Sequence, residues 1–160
     1  MLTGAQAVAA FQTLGVTHVV WLPDSTLGKW EEALADAAAP RLVRVCREGE
    51  AWALAAGLQL GGGQPMVVMQ CTGLFESGDS MRNALFDLGL PLYAVVGYRS
   101  YLLEGSTDSA RQFTEPVLRA WGLDYVLLDQ PDASQRLVDH YRACRAAGRP
   151  GIALLAEGRG

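Results

Sequence analysis

Hydrophobic and polar residues follow two recurring patterns along the chain. Amphipathic runs at a helical spacing are separated by short, apolar, β-branched segments, which indicates alternating helices and strands. The predicted helices cover residues 3–14, 26–38, 48–60, 77–88, 110–121 and 131–147. The predicted strands cover residues 17–22, 41–46, 65–70, 91–97, 124–128 and 150–156. This order predicts an α/β domain, a three-layer sandwich in which helices flank a six-stranded, mostly parallel sheet.

The whole chain is predicted to form one domain. No shift in composition, internal repeat or low-complexity segment divides residues 1–160. In sheets of this kind, ligands bind beyond the carboxyl ends of the strands. We therefore expect functional residues in the segments that follow four of the strands, at 22–27, 46–50, 70–78 and 97–112.

The composition narrows the class of protein. A formal net charge of −4, with 17 acidic against 13 basic residues, argues against a nucleic-acid-binding surface. No signal peptide is evident, and no apolar run approaches the roughly 20 residues that a membrane span requires. Three irregularly spaced cysteines, Cys46, Cys71 and Cys144, favour a reducing compartment over a disulfide framework or a structural zinc site. These features predict a cytoplasmic protein.

Common nucleotide-binding motifs are absent from the sequence. Gly61-Gly62-Gly63 follows a helix and precedes a strand, which reverses the order of a dinucleotide-binding turn. Gly78-Asp79-Ser80 is similar to the start of a diphosphate–magnesium motif, but that motif needs an Asn well downstream. Asn83 is the only Asn in the chain, so we predict no metal ligands.

The histidines and Cys71 offer little for nucleophilic catalysis. His18 opens a strand, and His140 lies in a helix among charged residues, so we expect the second to be solvated. Cys71 follows a strand, where the dipole of the next helix could activate a thiolate. Because no histidine stands ready to assist it, a packed or ligand-lining Cys71 is favoured over a nucleophile.

The strongest chemical signal is a carboxylate at a strand-to-helix junction. In the segment Cys46-Arg-Glu-Gly-Glu-Ala-Trp-Ala-Leu-Ala-Ala-Gly57, Glu48 and Glu50 stand where the second strand gives way to an Ala-rich helix. Spacing alone leaves two interpretations open. Both acids can be ordinary first-turn residues that interact favourably with the helix dipole, or one of them can be functional.

Five short motifs in a fixed order carry a family resemblance. They are Trp21-Leu-Pro-Asp-Ser-Thr-Leu27, Glu48-Gly-Glu-Ala-Trp-Ala-Leu-Ala-Ala-Gly57, Met69-Gln-Cys-Thr-Gly-Leu74, Val96-Gly-Tyr-Arg-Ser100 and the segment from Asp108 to Gln112. Together they resemble the thiamine-diphosphate-dependent 2-oxo acid decarboxylases, in the domain that binds the aminopyrimidine ring, and especially the phosphonopyruvate and sulfopyruvate decarboxylases. The sequence departs from this pattern at Cys71, where the family has Asn, and at Phe113, where it has His. These departures affect the expected substrate more than the expected cofactor.

The resemblance implies a role for each matching residue. Glu48 would be the catalytic carboxylate that bonds the aminopyrimidine, and Asp24 would relay protons, with capping of the next helix as the alternative for Asp24. Arg99 and Gln112 would bind the substrate, with a solvated loop arginine as the alternative for Arg99. The residues that would contact the cofactor are Glu48, Pro23, Gln70, Cys71, Thr72 and Gly73.

The implied cofactor is thiamine diphosphate, which supplies the chemistry for releasing carbon dioxide and an aldehyde from a 2-oxo acid. Since the diphosphate–magnesium motif is missing, the resemblance implies an α-type subunit of a split decarboxylase, although a truncated chain has the same sequence. A β-type partner would hold the diphosphate and Mg²⁺ in a hetero-oligomer, and the α-type subunit would be active only with it. The substrate would be a small anionic 2-oxo acid such as sulfopyruvate or 3-phosphonopyruvate. Half of another thiamine-diphosphate enzyme, such as a carboligase or lyase, and a non-catalytic module on the same fold are the alternatives.

Overall fold

The computed structural model describes residues 2–158, so the outermost positions of the predicted domain, 1, 159 and 160, lie outside the described residues. Its helices are α1 (Gly4–Thr13), α2 (Glu31–Asp36), α3 (Glu48–Leu60), α4 (Cys71–Glu76), α5 (Gly78–Arg82), α6 (Ser109–Ala120) and α7 (Ala133–Ala146). Its strands are β1 (His18–Trp21), β2 (Arg41–Arg44), β3 (Pro65–Gln70), β4 (Tyr93–Tyr98), β5 (Tyr125–Leu128) and β6 (Gly151–Ala156). A 3₁₀ turn at Gly28–Trp30 precedes α2, and a π-helical turn at Asn83–Asp87 follows α5.

The six strands form one sheet in the order β2-β1-β3-β4-β6-β5, and every neighbouring pair is parallel. After β1 the chain moves outward to β2, whereas after β3 it moves the other way to β4. The carboxyl ends of β1 and β3 therefore border a topological switch point, where open α/β sheets bind their ligands. We call the side where the strands end the carboxyl edge, and the opposite side the amino edge.

Helices cover both faces of the sheet. Helices α1, α2 and α7 pack on one face with strand residues such as Val68, and α3 to α6 pack on the other with residues such as Val67. Alternate residues of a strand point to opposite faces, which explains why the strands are almost continuously apolar. The predicted three-layer α/β sandwich is thus confirmed, and its sheet is wholly parallel. None of the helices between residues 2 and 158 has the length and apolar character needed to cross a membrane.

One predicted helix is wrong in extent, and one helix was not predicted. The helix expected at 26–38 is reduced to the 3₁₀ turn and the short α2, because the Asp24 side chain accepts hydrogen bonds from the backbone N–H groups of Thr26 and Leu27 and holds a tight turn. The helix expected at 77–88 is confirmed as α5 and the π-helical turn that follows it, but the prediction lacked α4, the helix before it. Ser77 separates α4 from α5, and its hydroxyl donates back to the Gly73 carbonyl at 2.7 Å.

The expectation of a solvated His140 is also wrong. Its side chain is only 14% exposed, because α7 packs its last turns against the amino edge. The ring lies 2.6 Å from the Tyr93 hydroxyl through Nδ1 and 3.2 Å from an Asp124 oxygen through Nε2. The charged neighbours in sequence therefore gave no indication of the face that His140 occupies.

Candidate functional site

Glu48 is the first residue of α3, four positions after β2 ends at Arg44, so the predicted strand-to-helix junction is present. Its half-buried side chain lies against the backbone of Gly73 in α4. A Cβ atom at Gly73 would be 2.5 Å from Glu48 Cγ and 2.6 Å from Oε1, so any larger residue would displace the acid. No donor among residues 2–158 forms a hydrogen bond with the Glu48 carboxylate. Glu48 therefore offers an unused hydrogen-bond acceptor, whose position is fixed by contact with Gly73.

Glu50 has a different role. One oxygen of its exposed carboxylate accepts hydrogen bonds from the backbone N–H groups of Cys46 at 2.8 Å and Arg47 at 3.2 Å. These bonds close the start of α3, as first-turn acids commonly do. Of the two acids that the sequence left open, Glu50 is engaged in local structure and Glu48 is not.

Gln70, the last residue of β3, places an amide at the carboxyl edge beside Gly97 of β4. Its Oε1 atom is buried and has no hydrogen-bond partner among residues 2–158. A buried carbonyl oxygen in this state is uncommon, because the loss of its hydration is uncompensated. Gln70 is thus a second acceptor at this edge that a ligand could use.

Cys71 follows Gln70 as the first residue of α4, and it is fully buried. Burial raises the pKa of its thiol, although the Arg99 backbone and the Thr114 hydroxyl act in the opposite direction. A thiol with a raised pKa stays protonated and is a poor nucleophile. The packed or ligand-lining interpretation of Cys71 is therefore favoured over a catalytic one.

Asp24, directly after the half-buried Pro23, serves as the acceptor of a tight turn. Its Oδ1 accepts from the backbone N–H groups of Thr26 at 2.7 Å and Leu27 at 2.8 Å, and its Oδ2 accepts from the Trp21 ring N–H at 3.3 Å. This pattern matches the alternative in which Asp24 caps the following segment. A proton-relay role for Asp24 stays a prediction that would rely on Oδ2.

Arg99, just beyond β4, is held by a two-pronged ion pair. Its Nε and Nη2 donate to the two oxygens of Asp108 at 2.8 and 3.1 Å, and the Ser100 hydroxyl donates to the same carboxylate. These bonds lower the pKa of Asp108 to about 2, which keeps it ionised. Arg99 is therefore more ordered than the solvated loop arginine of the alternative interpretation.

A groove of about 410 Å³ runs beside Arg99. Arg99 supplies its cation, whereas most of the other lining side chains are apolar, and Phe113 is 57% exposed. The remaining lining residues are Thr72, Phe75, Ser109, Ala110 and Val117. The groove thus brings two predicted site residues, Thr72 and Arg99, to one surface and can accept a ligand with an anionic group and an apolar part.

Gln112 does not line this groove. It lies in α6 between the groove residues Ala110 and Phe113, but its side chain is exposed and its amide donates to the Thr107 carbonyl at 3.4 Å. Neighbouring residues of a helix point about 100° apart, which explains why Gln112 and Phe113 reach different surroundings. A substrate contact by Gln112 stays a prediction.

Glu157 is a functional candidate that the sequence analysis missed. It directly follows β6 at the carboxyl edge and is only 3% exposed. Its pKa is raised to about 7, mainly by burial, with the charge of Asp24 adding to the rise and Lys29, whose Nζ lies 3.9 Å from Oε1, opposing it. The available signal was an acid directly after an apolar strand, the same pattern that drew attention to other strand ends.

Comparison with known proteins identifies a family. The family described as "Thiamine pyrophosphate enzyme, N-terminal TPP binding domain" matches residues 1–126. A phosphonopyruvate decarboxylase from Streptomyces viridochromogenes is 30% identical over 152 residues, and one from Streptomyces hygroscopicus is 28% identical over 152 residues. Each match covers 92% of this chain and 37% of the relative, so the chain spans little more than a third of the length of these curated proteins.

Proposed function

Because the chain belongs to the thiamine pyrophosphate enzymes, as their N-terminal TPP binding domain, we propose that its carboxyl edge binds thiamine diphosphate in a decarboxylase of small anionic 2-oxo acids. The observation that carries this proposal is the Glu48 carboxylate, which rests on Gly73 without a hydrogen bond from residues 2–158. The two relatives, both phosphonopyruvate decarboxylases, support the reaction class.

Three features of the carboxyl edge fit the flat, polar-rimmed pyrimidine ring of this cofactor. Gly73 has no Cβ, so its backbone can approach a ligand closely. Glu48 offers a carboxylate, and Gln70 offers a buried Oε1 without a partner among residues 2–158. Ring nitrogens that carry a proton and amino groups are donors that match such acceptors. The residues that would hold the ring are Glu48, Gln70 and Gly73, with Pro23, Cys71 and Thr72 beside them.

Glu48 would act on a proton. Thiamine diphosphate, when bound, supplies the nucleophilic carbon and the electron sink for loss of carbon dioxide. The Glu48 carboxylate would share a proton with a ring nitrogen, which a carboxylate can do and an amide cannot. Glu50 is unsuited to this role, because its Oε2 already accepts two backbone hydrogen bonds. Asp24 would move protons through Oδ2, which among the described residues accepts a hydrogen bond from Trp21 alone.

Arg99 would bind the anionic end of the substrate. Its guanidinium has five N–H donors, and Asp108 engages Nε and Nη2, which leaves donors for a second anion. Phosphonate, sulfonate and carboxylate groups all suit such a fork. The substrate class that fits is therefore a small 2-oxo acid with a second anionic group, such as 3-phosphonopyruvate or sulfopyruvate, with Gln112 as a further contact.

A second domain would complete this site. The chain spans 37% of the length of its two relatives, so those proteins contain further sequence that corresponds to none of it. We place the diphosphate and Mg²⁺ on such a domain, either in a β-type partner subunit or in the same polypeptide. The free thiols of Cys46, Cys71 and Cys144 are in keeping with a reducing, cytoplasmic location.

The test compares two neighbouring acids in the complex with the completing domain. Hydrogen exchange at the reactive carbon of the cofactor is measured for the wild type, Glu48→Gln and Glu50→Gln. Because Glu48→Gln removes a positioned acid–base group, we expect exchange to slow by about 10²–10⁴-fold. Glu50→Gln should exchange almost normally, since a first-turn acid contributes only about 0.3–1 kcal/mol to its helix.

A thermal melt of each variant excludes misfolding. Wild-type exchange in a folded Glu48→Gln variant would remove Glu48 from the mechanism, and greater damage from Glu50→Gln would transfer the role to Glu50. Detecting aldehyde rather than acyloin as the product separates decarboxylation from carboligation. Full turnover by the chain without any second domain would contradict the proposed completion of the site.

A further inference from the structure

A second cluster of reactive side chains lies at the amino edge, far along the strands from the proposed cofactor site. Asp124 comes just before β5, and His140 and Cys144 lie one turn apart near the end of α7. His140 Nε2 is 3.2 Å from Asp124 Oδ2 and 3.7 Å from Cys144 Sγ, and that sulfur is 3.8 Å from the same Asp124 oxygen. One oxygen, one nitrogen and one sulfur therefore form a nearly regular triangle.

We propose that Asp124, His140 and Cys144 form a Zn²⁺ site. Zinc–ligand bonds of about 2.0–2.3 Å in a tetrahedron separate such donor atoms by about 3.3–3.6 Å, so the observed separations agree within about 0.2 Å. A thiolate with an imidazole and a carboxylate suits zinc, whereas magnesium and calcium prefer oxygen donors alone. Three protein ligands leave the fourth tetrahedral position for water or another ligand.

The surroundings of the triangle support metal binding. The Tyr93 hydroxyl lies 2.6 Å from His140 Nδ1 and can accept a hydrogen bond from Nδ1–H, which leaves the Nε2 lone pair facing the other two donors. Gly151 makes room for this arrangement. A Cβ there would lie 2.6 Å from Cys144 Sγ and 2.7 Å from the Tyr93 ring, so the side chains could not keep their positions beside a larger residue.

One neighbour opposes a cation. Arg149 Nη2 lies 2.8 Å from Asp124 Oδ2. When the metal binds, the Arg149 side chain must therefore move away or bind the other oxygen of the Asp124 carboxylate. Without metal, the same atoms are satisfied when His140 Nε2–H donates to Asp124 and the Tyr93 hydroxyl donates to Nδ1. On binding, the Cys144 thiol forms its bond to zinc as a thiolate and releases its proton to solvent. The affinity of the chain for zinc therefore measures whether the metal-bound arrangement forms.

The test uses the full chain after removal of all metal. Zn²⁺ is titrated in competition with a chromogenic chelator, and Co²⁺ is titrated separately as a spectroscopic probe. We expect one Zn²⁺ per chain and, with Co²⁺, a thiolate-to-cobalt charge-transfer band. Loss of a residue that only supports a ligand costs about 10–100-fold in metal affinity, so we expect Cys144→Ser and His140→Gln to cost more than about 100-fold.

Two further variants test the location of the site. Cys46→Ser removes an exposed thiol elsewhere and should leave the affinity unchanged, whereas Arg149→Gln should tighten binding because it removes the competing cation. Zn²⁺ should also raise the Tm of the wild type but not of the two ligand variants, which separates loss of binding from loss of folding. The proposal is overturned if the wild type takes up no stoichiometric Zn²⁺, if both ligand variants still bind it, or if Cys46→Ser abolishes binding.

Discussion

The two edges of the sheet treat their buried polar groups differently. At the carboxyl edge, Gln70 Oε1 and Glu157 Oε1 are buried with no hydrogen-bond partner among residues 2–158, and the Glu48 carboxylate is also without a hydrogen bond. At the amino edge, Asp124 and His140 belong to a connected network with tyrosine, cysteine and arginine side chains. Both edges concentrate polar groups, but the buried oxygens without a hydrogen-bond partner among residues 2–158 lie at the carboxyl edge.

This difference has an energetic meaning. A buried donor or acceptor left without a partner costs about 1–3 kcal/mol, so the carboxyl edge reduces the stability of the isolated fold. A bound ligand that supplies donors to Gln70 and Glu48 removes that cost and gains affinity in return. The network at the amino edge carries no such cost, and it connects β5, α7 and β6. We therefore associate the binding of cofactor and substrate with the carboxyl edge, and the proposed Zn²⁺ site with the amino edge.

The largest expected effect comes from closing the space that Glu48 occupies. Gly73→Ala introduces a Cβ 2.5 Å from Glu48 Cγ, so the carboxylate must move. Because a misplacement of about 1 Å can cost about 10²-fold in rate, we expect kcat of the complete enzyme to fall by at least about 100-fold. Gly78→Ala is the matched control, since the nearest atom to its Cβ would be in Trp121 at an ordinary 3.9 Å. Normal turnover by a folded Gly73→Ala variant would separate Glu48 from catalysis.

A smaller effect is expected at the groove. Arg99→Ala should raise KM for an anionic substrate by about 10–100-fold, because a hydrogen bond to a charged group contributes about 1.5–3 kcal/mol. The value of kcat should change less, since Arg99 would bind the substrate and the transition state alike. Arg99→Lys keeps the charge but loses the fork, and its KM should be intermediate.

Arg82→Ala is the matched control for Arg99→Ala. Arg82 also forms ion pairs with two carboxylates, those of Asp79 and Asp87, but it does not line the groove. Steady-state kinetics of the variants should therefore show an effect only at Arg99. Equal KM values for the wild type and a folded Arg99→Ala variant would assign Arg99 to the support of Asp108 alone.

The sequence predicted the features that depend on local pattern. Alternating apolar segments indicated the layered fold, and the junction at Glu48 was identified by its motif. The turn at Thr26 was missed because one side chain, Asp24, outweighed the helical preference of the residues after it. The amino-edge cluster was missed because no zinc spacing exists in the sequence, and only the packing of α7 brings His140 to Asp124.

The smallest expected effect concerns stability rather than activity, and it tests the cost of the carboxyl edge directly. Burial raises the pKa of Glu157 from 4.5 to about 7, with Asp24 adding to the rise and Lys29 opposing it. The folded protein therefore binds this proton more tightly than the unfolded chain does. The resulting stabilisation is complete below the unfolded pKa and is lost as the pH rises through the folded pKa.

We expect the free energy of unfolding of the wild type to decrease between about pH 4.5 and pH 7, by at most about 1.4 kcal/mol per pH unit from this group. Glu157→Gln carries no titrating proton, so its stability should decrease less over this interval and exceed that of the wild type at pH 8. Denaturant unfolding at several pH values measures both curves, and the exposed Glu104→Gln provides a variant that should parallel the wild type. If the curve of Glu157→Gln ran parallel to that of the wild type, the charged form of Glu157 would be stabilised by its surroundings. This buried acid would then not reduce the stability of the carboxyl edge.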